Sequence, residues 1–144
     1  MSITEAQDEI IREFSLLDGD MEMTVFYLME LGQKLPPLIP GDKNDDNLVK
    51  GCQSLVWLTA SLKNDTVQFS GDSNTAITKG LVSLLIRIFS GQHPDDILHA
   101  DLYFMKKIGM ERFIGTQRSN GFAAMIKQMK FYAYAFKTQL SLKS

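Results

Sequence analysis

The chain has 144 residues, of which 44% are hydrophobic, 22% are charged and one is a cysteine. This length predicts a single domain, residues 1–144, that buries enough apolar surface to fold without a cross-link. One cysteine excludes an internal disulfide and any zinc site built on several cysteines. No apolar run approaches the roughly 20 residues of a membrane span, and no secretory signal is visible, so we expect a cytoplasmic protein with no membrane partner.

The formal net charge of −2 conceals two halves of opposite sign. Residues 1–72 carry 13 acids and 5 bases, whereas residues 73–144 carry 4 acids and 10 bases. A basic half can mark a nucleic-acid surface, and Lys127, Lys130 and Lys137 share roughly one face of a predicted helix. Because no run of three consecutive basic residues occurs, we expect the halves to neutralise each other and no nucleic acid to bind.

The first third of the chain has the apolar spacing of helices. A period near 3.6 predicts helices over Ile3–Leu17 and Met21–Lys34. Leu35-Pro36-Pro37 ends the second helix, because neither proline can continue its hydrogen-bond ladder. Residues 38–47, which include Pro40-Gly41 and several Asp and Asn, are typical of an irregular connector.

From Leu48 onward the apolar residues alternate with a period of two, which is typical of strands. We predict a short strand over Leu48–Lys50, a tight loop over Gly51–Gln53, a longer strand over Ser54–Leu62 and a third strand over Thr66–Ser70. Short turns between successive strands favour an antiparallel meander.

The rest of the chain is predicted to be helical. Residues 74–90 are apolar around most of a helical circumference, which indicates a central helix against the sheet. Shorter helices are predicted from His93-Pro94 and around Leu102–Ile108, and a last helix from Ser119 or Asn120 to about Thr138. The predicted architecture is α+β: a small three-stranded antiparallel sheet packed with helices from both ends of the chain.

Cys52 is the first candidate for chemistry. It follows Gly51, whose backbone freedom permits a sharp turn, and it lies between the polar residues Lys50 and Gln53. This placement favours an approachable thiol. The alternative is a small buried hydrophobe, since free cysteine is among the most buried residue types.

The two histidines leave a second function open. A cysteine-dependent hydrolase would need a base within hydrogen-bond reach of the Cys52 sulfur, and His93 or His99 could supply it. The sequence alone places neither ring there. His93 is explained more simply as a helix cap, and His99 as a surface or half-buried helix residue.

Arg118 stands at an unusual position. It opens the predicted last helix, where the positive end of the helix dipole disfavours a cation. An arginine against its local preference indicates a distant anionic partner, such as a carboxylate or an anionic sulfur. Asp72-Ser73-Asn74 also precedes a predicted helix and could cap it or offer N–H groups to an anion.

Three blocks of sequence, taken together, resemble the SufE family of sulfur-acceptor proteins. The likeness covers about Ile10 to Lys130. The blocks, each with the residues that follow it, are Val49–Ser54 with Val56-Trp57, Phe69–Ser73 with Ile77–Leu81, and Arg118–Gly121 with Ala124-Met125. The family's fold is also α+β.

The resemblance implies a function in iron–sulfur cluster assembly. In such proteins the cysteine, here Cys52, takes sulfur as a persulfide from a cysteine desulfurase (SufS-like), stimulates that enzyme, and passes the sulfur to a scaffold complex (SufB-like). Pyridoxal phosphate is then expected on the desulfurase, and no cofactor on this chain. The motif residues Gly51, Gln53, Asp72 and Arg118 are the expected partner-binding residues. A monomer or a homodimer is equally compatible.

Protection of the persulfide adds an expectation about the loop. A persulfide open to solvent would lose its sulfur to any thiol, so we expect the Cys52 loop to fold inward in the free protein and to swing out on docking. The sequence departs from the family pattern at Asn74, where an acid is frequent, and at Leu55, where Gln is common. The aromatic extension after Lys130 could pack on the sheet or form an association surface.

Overall fold

The computed structural model describes residues 1–143 and shows an α+β fold of six helices and one two-stranded sheet within that range. No described helix is both long enough and apolar enough to cross a membrane. The elements are α1 (Ile3–Ser15), α2 (Met21–Gln33), β1 (Val56–Lys63), β2 (Thr66–Ser73), α3 (Ala76–Phe89), α4 (Pro94–Leu98), α5 (Phe104–Ile108) and α6 (Met110–Lys143), with 3-10 turns at Pro40–Asp42 and Asp45–Asn47.

The first two helices lie almost where the sequence predicts them. The Ser2 hydroxyl accepts a hydrogen bond from the Glu5 backbone N–H, and the Glu5 carboxylate accepts one from the Ser2 N–H, which completes a capping box on α1. The Asp20 carboxylate caps α2 by accepting from the Met23 N–H over 2.9 Å. These caps satisfy backbone donors that have no partner within the helix.

The sheet is an antiparallel hairpin of two strands, so the predicted three-stranded sheet is wrong. Its register runs from Val56↔Ser73 to Lys63↔Thr66. The predicted first strand contributes one isolated bridge, Leu48↔Trp57. Three residues after Leu48, Gly51 adopts a φ of +96°, which turns the chain off the sheet before a second bridge can form.

The central helix α3 is a main part of the core, as its apolar circumference predicts. It packs on α2 and on β2, and eight of its residues are buried. The helices α2 and α3 approach so closely that a Cβ on Gly80 would lie 2.2 Å from the Leu28 carbonyl oxygen. The Arg87 guanidinium pairs with Glu9 and Glu13, which ties α3 to α1.

The last helix begins earlier than predicted. It starts at Met110, and a break at Gly115 (φ 82°, ψ 171°) divides it. Ser119 and Asn120, which were expected to open the helix, therefore lie inside its second part. The break brings the residues after Gly115 against the segment that precedes β1.

The aromatic extension packs on the sheet in part. The Tyr132 ring lies 6.4 Å from the Phe69 ring, and its hydroxyl donates to the Leu58 carbonyl oxygen over 3.2 Å. Phe131 and Tyr134 remain exposed on the other side of α6. One face of the extension therefore completes the hydrophobic core.

Candidate functional site

Cys52 lies in the loop between the Leu48 bridge and β1, with its side chain half-buried. Its thiol donates a hydrogen bond to the Gly121 carbonyl oxygen, with an Sγ–O distance of 3.4 Å. The two sequence-based alternatives, an approachable thiol and a buried hydrophobe, thus both hold in part. The sulfur is covered by α6 while its loop stays at the surface.

Two glycines allow the loop to lie this close to α6. Gly51 has a φ of +96°, and a Cβ there would lie 3.3 Å from the Ala124 Cβ. A Cβ on Gly121 would lie 3.4 Å from the Cys52 Sγ. The left-handed backbone at Gly51 thus brings the loop against α6, and at Gly121 there is space beside the sulfur for no side chain larger than a methyl group.

The residues after Cys52 are tied to the segment between β2 and α3. The Asn74 side-chain oxygen accepts from the Leu55 N–H over 2.9 Å, and the Ser73 hydroxyl donates to the Leu55 carbonyl over 2.8 Å. The Thr75 hydroxyl donates to the Ser54 hydroxyl over 2.9 Å. The part of the loop without such ties to this segment is therefore short and contains Cys52.

A cavity of about 360 Å³ lies beside the Cys52 sulfur. Some of its lining residues are buried. Its mouth is formed by exposed residues of the Cys52 loop and of the first helical turn after Gly115. The cavity is lined by Cys52, Gln53, Ser54, Thr78, Leu81, Ile114, Gly115, Thr116, Gln117, Arg118, Gly121 and Met125. Cys52 therefore borders a space that is partly open to solvent on the side of its exposed lining residues.

The sulfur is held as a thiol by its surroundings. Burial raises the pKa of the Cys52 thiol. The Gly121 carbonyl accepts the S–H hydrogen, and the same oxygen would repel a thiolate. Both effects favour the protonated form, which is a poor nucleophile.

Arg118 stands at the mouth of the same cavity and is exposed. It carries the only charge among the described residues that line this space. Its guanidinium Nη1 donates to the Ile114 carbonyl over 3.3 Å, across the Gly115 break. The structure thus brings together Cys52, Gln53 and Arg118 around the cavity, with Gly51 directly beside the cysteine.

Asp72, the fifth residue that the sequence singles out, is not part of the cavity wall. Its side chain is buried at the end of β2 and pairs with Lys43 at 3.0 Å and Lys79 at 3.4 Å. Burial by itself raises the pKa of Asp72, but hydrogen bonds from Lys43 and the Ser73 N–H, with the nearby charge of Lys79, lower it on balance. Lys43 also lies 5.7 Å above the Trp57 ring. The contacts of Asp72 stabilise the fold around the site.

Neither histidine lines the cavity that holds Cys52. The His93 Nδ1 lies 3.2 Å from the Asp65 carbonyl oxygen, at the start of α4. The His99 Nδ1 lies 2.8 Å from the Asp95 carbonyl oxygen, at the end of that helix. In this arrangement neither ring is positioned to accept a proton from the thiol.

Two of the three lysines considered for nucleic-acid binding have partners within the chain. The Lys130 ammonium donates to the Ala100 carbonyl oxygen over 2.8 Å. Lys137 forms an ion pair with Asp95 at 2.7 Å. Both contacts join α6 to the region around α4, so the basic half of the sequence is used in part for packing.

Gly121 and Thr78 line the cavity, although neither stands out individually in the sequence. A glycine inside a helix is the signal that a backbone or ligand approaches closely, and Gly121 fits it. Thr78 has no such signal, because its hydroxyl faces the site only through the angle at which α3 packs. Within residues 1–143, no group of three or more His, Cys, Asp or Glu could hold a metal ion.

The fold and the site define a class: an α+β domain with one half-buried thiol on a short surface loop. The chain belongs to the SufE family, because the profile of that family, described as an Fe-S metabolism associated domain, matches residues 8–133. The resemblance seen in the sequence is thereby confirmed.

Relatives and a solved structure agree with the family. Uncharacterized SufE-like proteins of Rhizobium meliloti (strain 1021) and Rhizobium etli are each 36% identical over 128 residues. The matches cover 85% of this chain and 91% and 86% of those relatives. The solution structure of a hypothetical protein from Thermus thermophilus has a TM-score of 0.76, with 21% identity, over 92% of this chain and 96% of that one. That likeness shows the shared α+β fold.

Proposed function

We propose that this protein is a cytoplasmic sulfur carrier that accepts sulfur on Cys52 from a cysteine desulfurase. The family supports a role in Fe–S metabolism. The observation that carries the proposal is the placement of the chain's single cysteine: on a hinged surface loop, with its sulfur against a cavity of about 360 Å³. A carrier needs one attacking sulfur and a shielded space for the sulfur it receives.

The transfer step is a displacement at sulfur. The Cys52 thiolate attacks the outer sulfur of a persulfide on the desulfurase, the S–S bond of that persulfide breaks, and the desulfurase cysteine leaves as a thiolate. Cys52 then carries the extra sulfur atom. No net oxidation occurs, and pyridoxal phosphate belongs to the desulfurase that generated the persulfide.

The resting geometry opposes this reaction until the loop moves. Burial and the Gly121 carbonyl keep Cys52 protonated in the closed position. Docking of the desulfurase would draw the loop outward from α6, with Gly51 as one hinge and the tethered Ser54 as the other limit. Outside the closed position the thiol loses these constraints and ionises more readily.

The carrier then needs to release sulfur to an acceptor. Once the loop has closed again, the outer sulfur occupies the cavity, where small thiols have poor access. A SufB-like scaffold complex that opens the loop would attack the outer sulfur and regenerate the Cys52 thiolate. When the desulfurase opens the loop, transfer to Cys52 also removes the persulfide from the desulfurase. Because that persulfide blocks the next turnover, its removal would stimulate the enzyme.

Intact-mass measurement tests the proposal directly. The protein is incubated with a SufS-like desulfurase, pyridoxal phosphate and cysteine, and we expect a gain of one sulfur atom that a reductant reverses. Cys52→Ser is expected to gain none. His93→Ala and His99→Ala are matched controls, and both are expected to load as the parent does. A protein that gains no sulfur, or one in which a histidine variant fails to load while remaining folded, would contradict the proposal.

A further inference from the structure

Three hydroxyl groups meet beside the Cys52 cavity. The Thr75 Oγ1 donates to the Ser54 Oγ over 2.9 Å, and the Thr78 Oγ1 donates to the same oxygen over 3.3 Å. A serine hydroxyl has two lone pairs and one hydrogen. When both lone pairs are occupied, the Ser54 O–H remains to be donated elsewhere. Ser54 lies in the wall of the cavity that also holds the Cys52 sulfur.

The other polar residues of that wall are less suited to donate into the shielded space. Thr78 is 4% exposed, and its hydroxyl lies 3.3 Å from the Ser54 oxygen, to which it can donate its one hydrogen. Gln53, Thr116 and Gln117 are exposed at the mouth, where water competes for their hydrogens. When Thr78 donates to Ser54, the half-buried Ser54 hydroxyl is the lining group left to donate into the space.

We propose that Ser54 is a positioning residue whose hydroxyl donates a hydrogen bond to the outer sulfur of a Cys52 persulfide anion. The inference rests on the proposed function, since it concerns the persulfide that the function requires. With Thr75 and Thr78 as the donors to the Ser54 oxygen, its hydrogen is left for the cavity into which the outer sulfur would extend.

This hydrogen bond would protect the stored sulfur. Hydrogen bonds to an ionised acceptor are stronger than neutral ones, so the donor favours the persulfide anion over its protonated form. An anionic outer sulfur repels an incoming thiolate, whereas the protonated persulfide is the better electrophile. The closed loop therefore holds sulfur in its less transferable state until a partner opens it.

The test loads the persulfide without a desulfurase. Cys52 is first converted to a mixed disulfide with an aromatic thiol and then treated with sulfide. The sulfide anion attacks the Cys52 sulfur, the disulfide bond breaks, and the aromatic thiolate leaves with the electron pair, which yields the persulfide with no added oxidant. The pH profile of persulfide alkylation and the rate of sulfur loss to dilute dithiothreitol are then followed by intact mass.

The informative variants differ by one hydroxyl at nearly constant shape. Ser54→Thr keeps the donor and Ser54→Val lacks it. We expect Ser54→Val to shift the midpoint of the alkylation profile upward by about one pH unit and to speed sulfur loss about tenfold, because one unit is a tenfold change in ionisation. Ser54→Thr is expected to stay near the parent. Thr75→Val removes one contact to the Ser54 oxygen but leaves the Ser54 hydroxyl, and it is also expected to stay near the parent.

Equal midpoints for Ser54→Val and Ser54→Thr would overturn the proposal. So would a shift in Thr75→Val as large as that in Ser54→Val, since the tether rather than the donor would then be responsible. If Ser54→Val does not fold, as judged by circular dichroism, Ser54→Ala supplies the comparison with a smaller side chain. Because loading is chemical, failure of the desulfurase to transfer sulfur would contradict the proposed function and leave this result unaffected.

Discussion

The Cys52 thiol donates its hydrogen to the carbonyl oxygen of Gly121, 69 residues later in the chain. A Cβ at Gly121 would already lie in van der Waals contact with Sγ, at 3.4 Å, so a larger side chain there has no room. One helical position thus accepts the hydrogen and limits the space around the sulfur. The contact joins the loop before β1 to the helix that follows the Gly115 break.

A larger residue at position 121 is expected to expel the sulfur. The branched side chain of Gly121→Val would occupy the volume of the Cys52 thiol and force the loop outward. Loss of burial favours the thiolate, so alkylation of Cys52 at pH 7 should become faster by about tenfold, the factor that corresponds to ~1.4 kcal/mol. The rate of reaction with iodoacetamide, followed by mass, measures this.

The matched control is Gly121→Ala. Its Cβ makes ordinary van der Waals contact with the sulfur. Alanine also favours a helix interior over glycine by about 0.5–1 kcal/mol. We expect alkylation near the parental rate and an unchanged or higher free energy of unfolding. A valine variant alkylated at the rate of the alanine variant would show that the sulfur is not displaced.

The packing of α2 on α3 depends on Gly80. A Cβ there would lie 2.2 Å from the Leu28 backbone oxygen, which no side-chain rotation relieves. We expect Gly80→Ala to lower the free energy of unfolding by about 2–3 kcal/mol, within the usual cost of overpacking. Urea unfolding measures it. Gly41→Ala, where the added Cβ meets nothing within 4 Å, should change it by less than about 0.5 kcal/mol.

Helix positions were predictable where local signals agree with packing. The caps at Ser2 and Asp20 and the prolines after Leu35 fix α1 and α2 through short-range hydrogen bonds and sterics, all of which are readable in sequence. The apolar circumference of residues 74–90 likewise predicts the buried α3. The first and last residues of these helices are set by residues a few positions away in the sequence.

The sheet and the last helix were predicted less well because distant contacts decide them. Leu48 has the sequence of a strand but forms one bridge, since the loop with Gly51 turns toward Ala124 instead of extending the ladder. Gly71 resembles a turn residue, yet it lies inside β2, where a Cβ would collide with Leu58 and Val82. The cavity beside Cys52 depends on the direction in which the chain turns at Gly115 and on the angle at which α3 packs. No local sequence pattern predicts either of them.

Asp72 is expected to make stability depend on acid pH. Its pKa is lowered in the folded protein, so its ion pairs stabilise the fold above the unfolded-state pKa of about 3.9 and this stability is lost as the pH falls through the lower folded value. Asp72→Asn should lower the free energy of unfolding at pH 7 by about 1–3 kcal/mol, as expected for hydrogen bonds to charged groups.

The measurement for Asp72 is urea unfolding between pH 2 and pH 7. The difference between the parent and Asp72→Asn should shrink toward acid pH, because both then carry a neutral side chain at this position. Asp96→Asn, at an exposed site, is the control and should stay within about 0.5 kcal/mol of the parent at neutral pH. A constant difference across this pH range would show that the loss does not come from the ionised carboxylate.

Arg118 is expected to act on sulfur transfer and not on stability. Displacement at sulfur has an attacking and a leaving thiolate, so negative charge is spread over the sulfurs, and a guanidinium at the cavity mouth stabilises it. We expect Arg118→Ala to slow loading of Cys52 by a desulfurase about tenfold, or ~1.4 kcal/mol. Because Arg118 is exposed, the free energy of unfolding should change by less than about 0.5 kcal/mol.

Two variants serve as controls for the loading rate. Arg118→Lys should recover part of the rate. Arg112 is an exposed arginine outside this cavity, so Arg112→Ala should leave the rate unchanged. Equal loading rates for Arg118→Ala and Arg112→Ala would mean that the charge at the mouth takes no part in transfer.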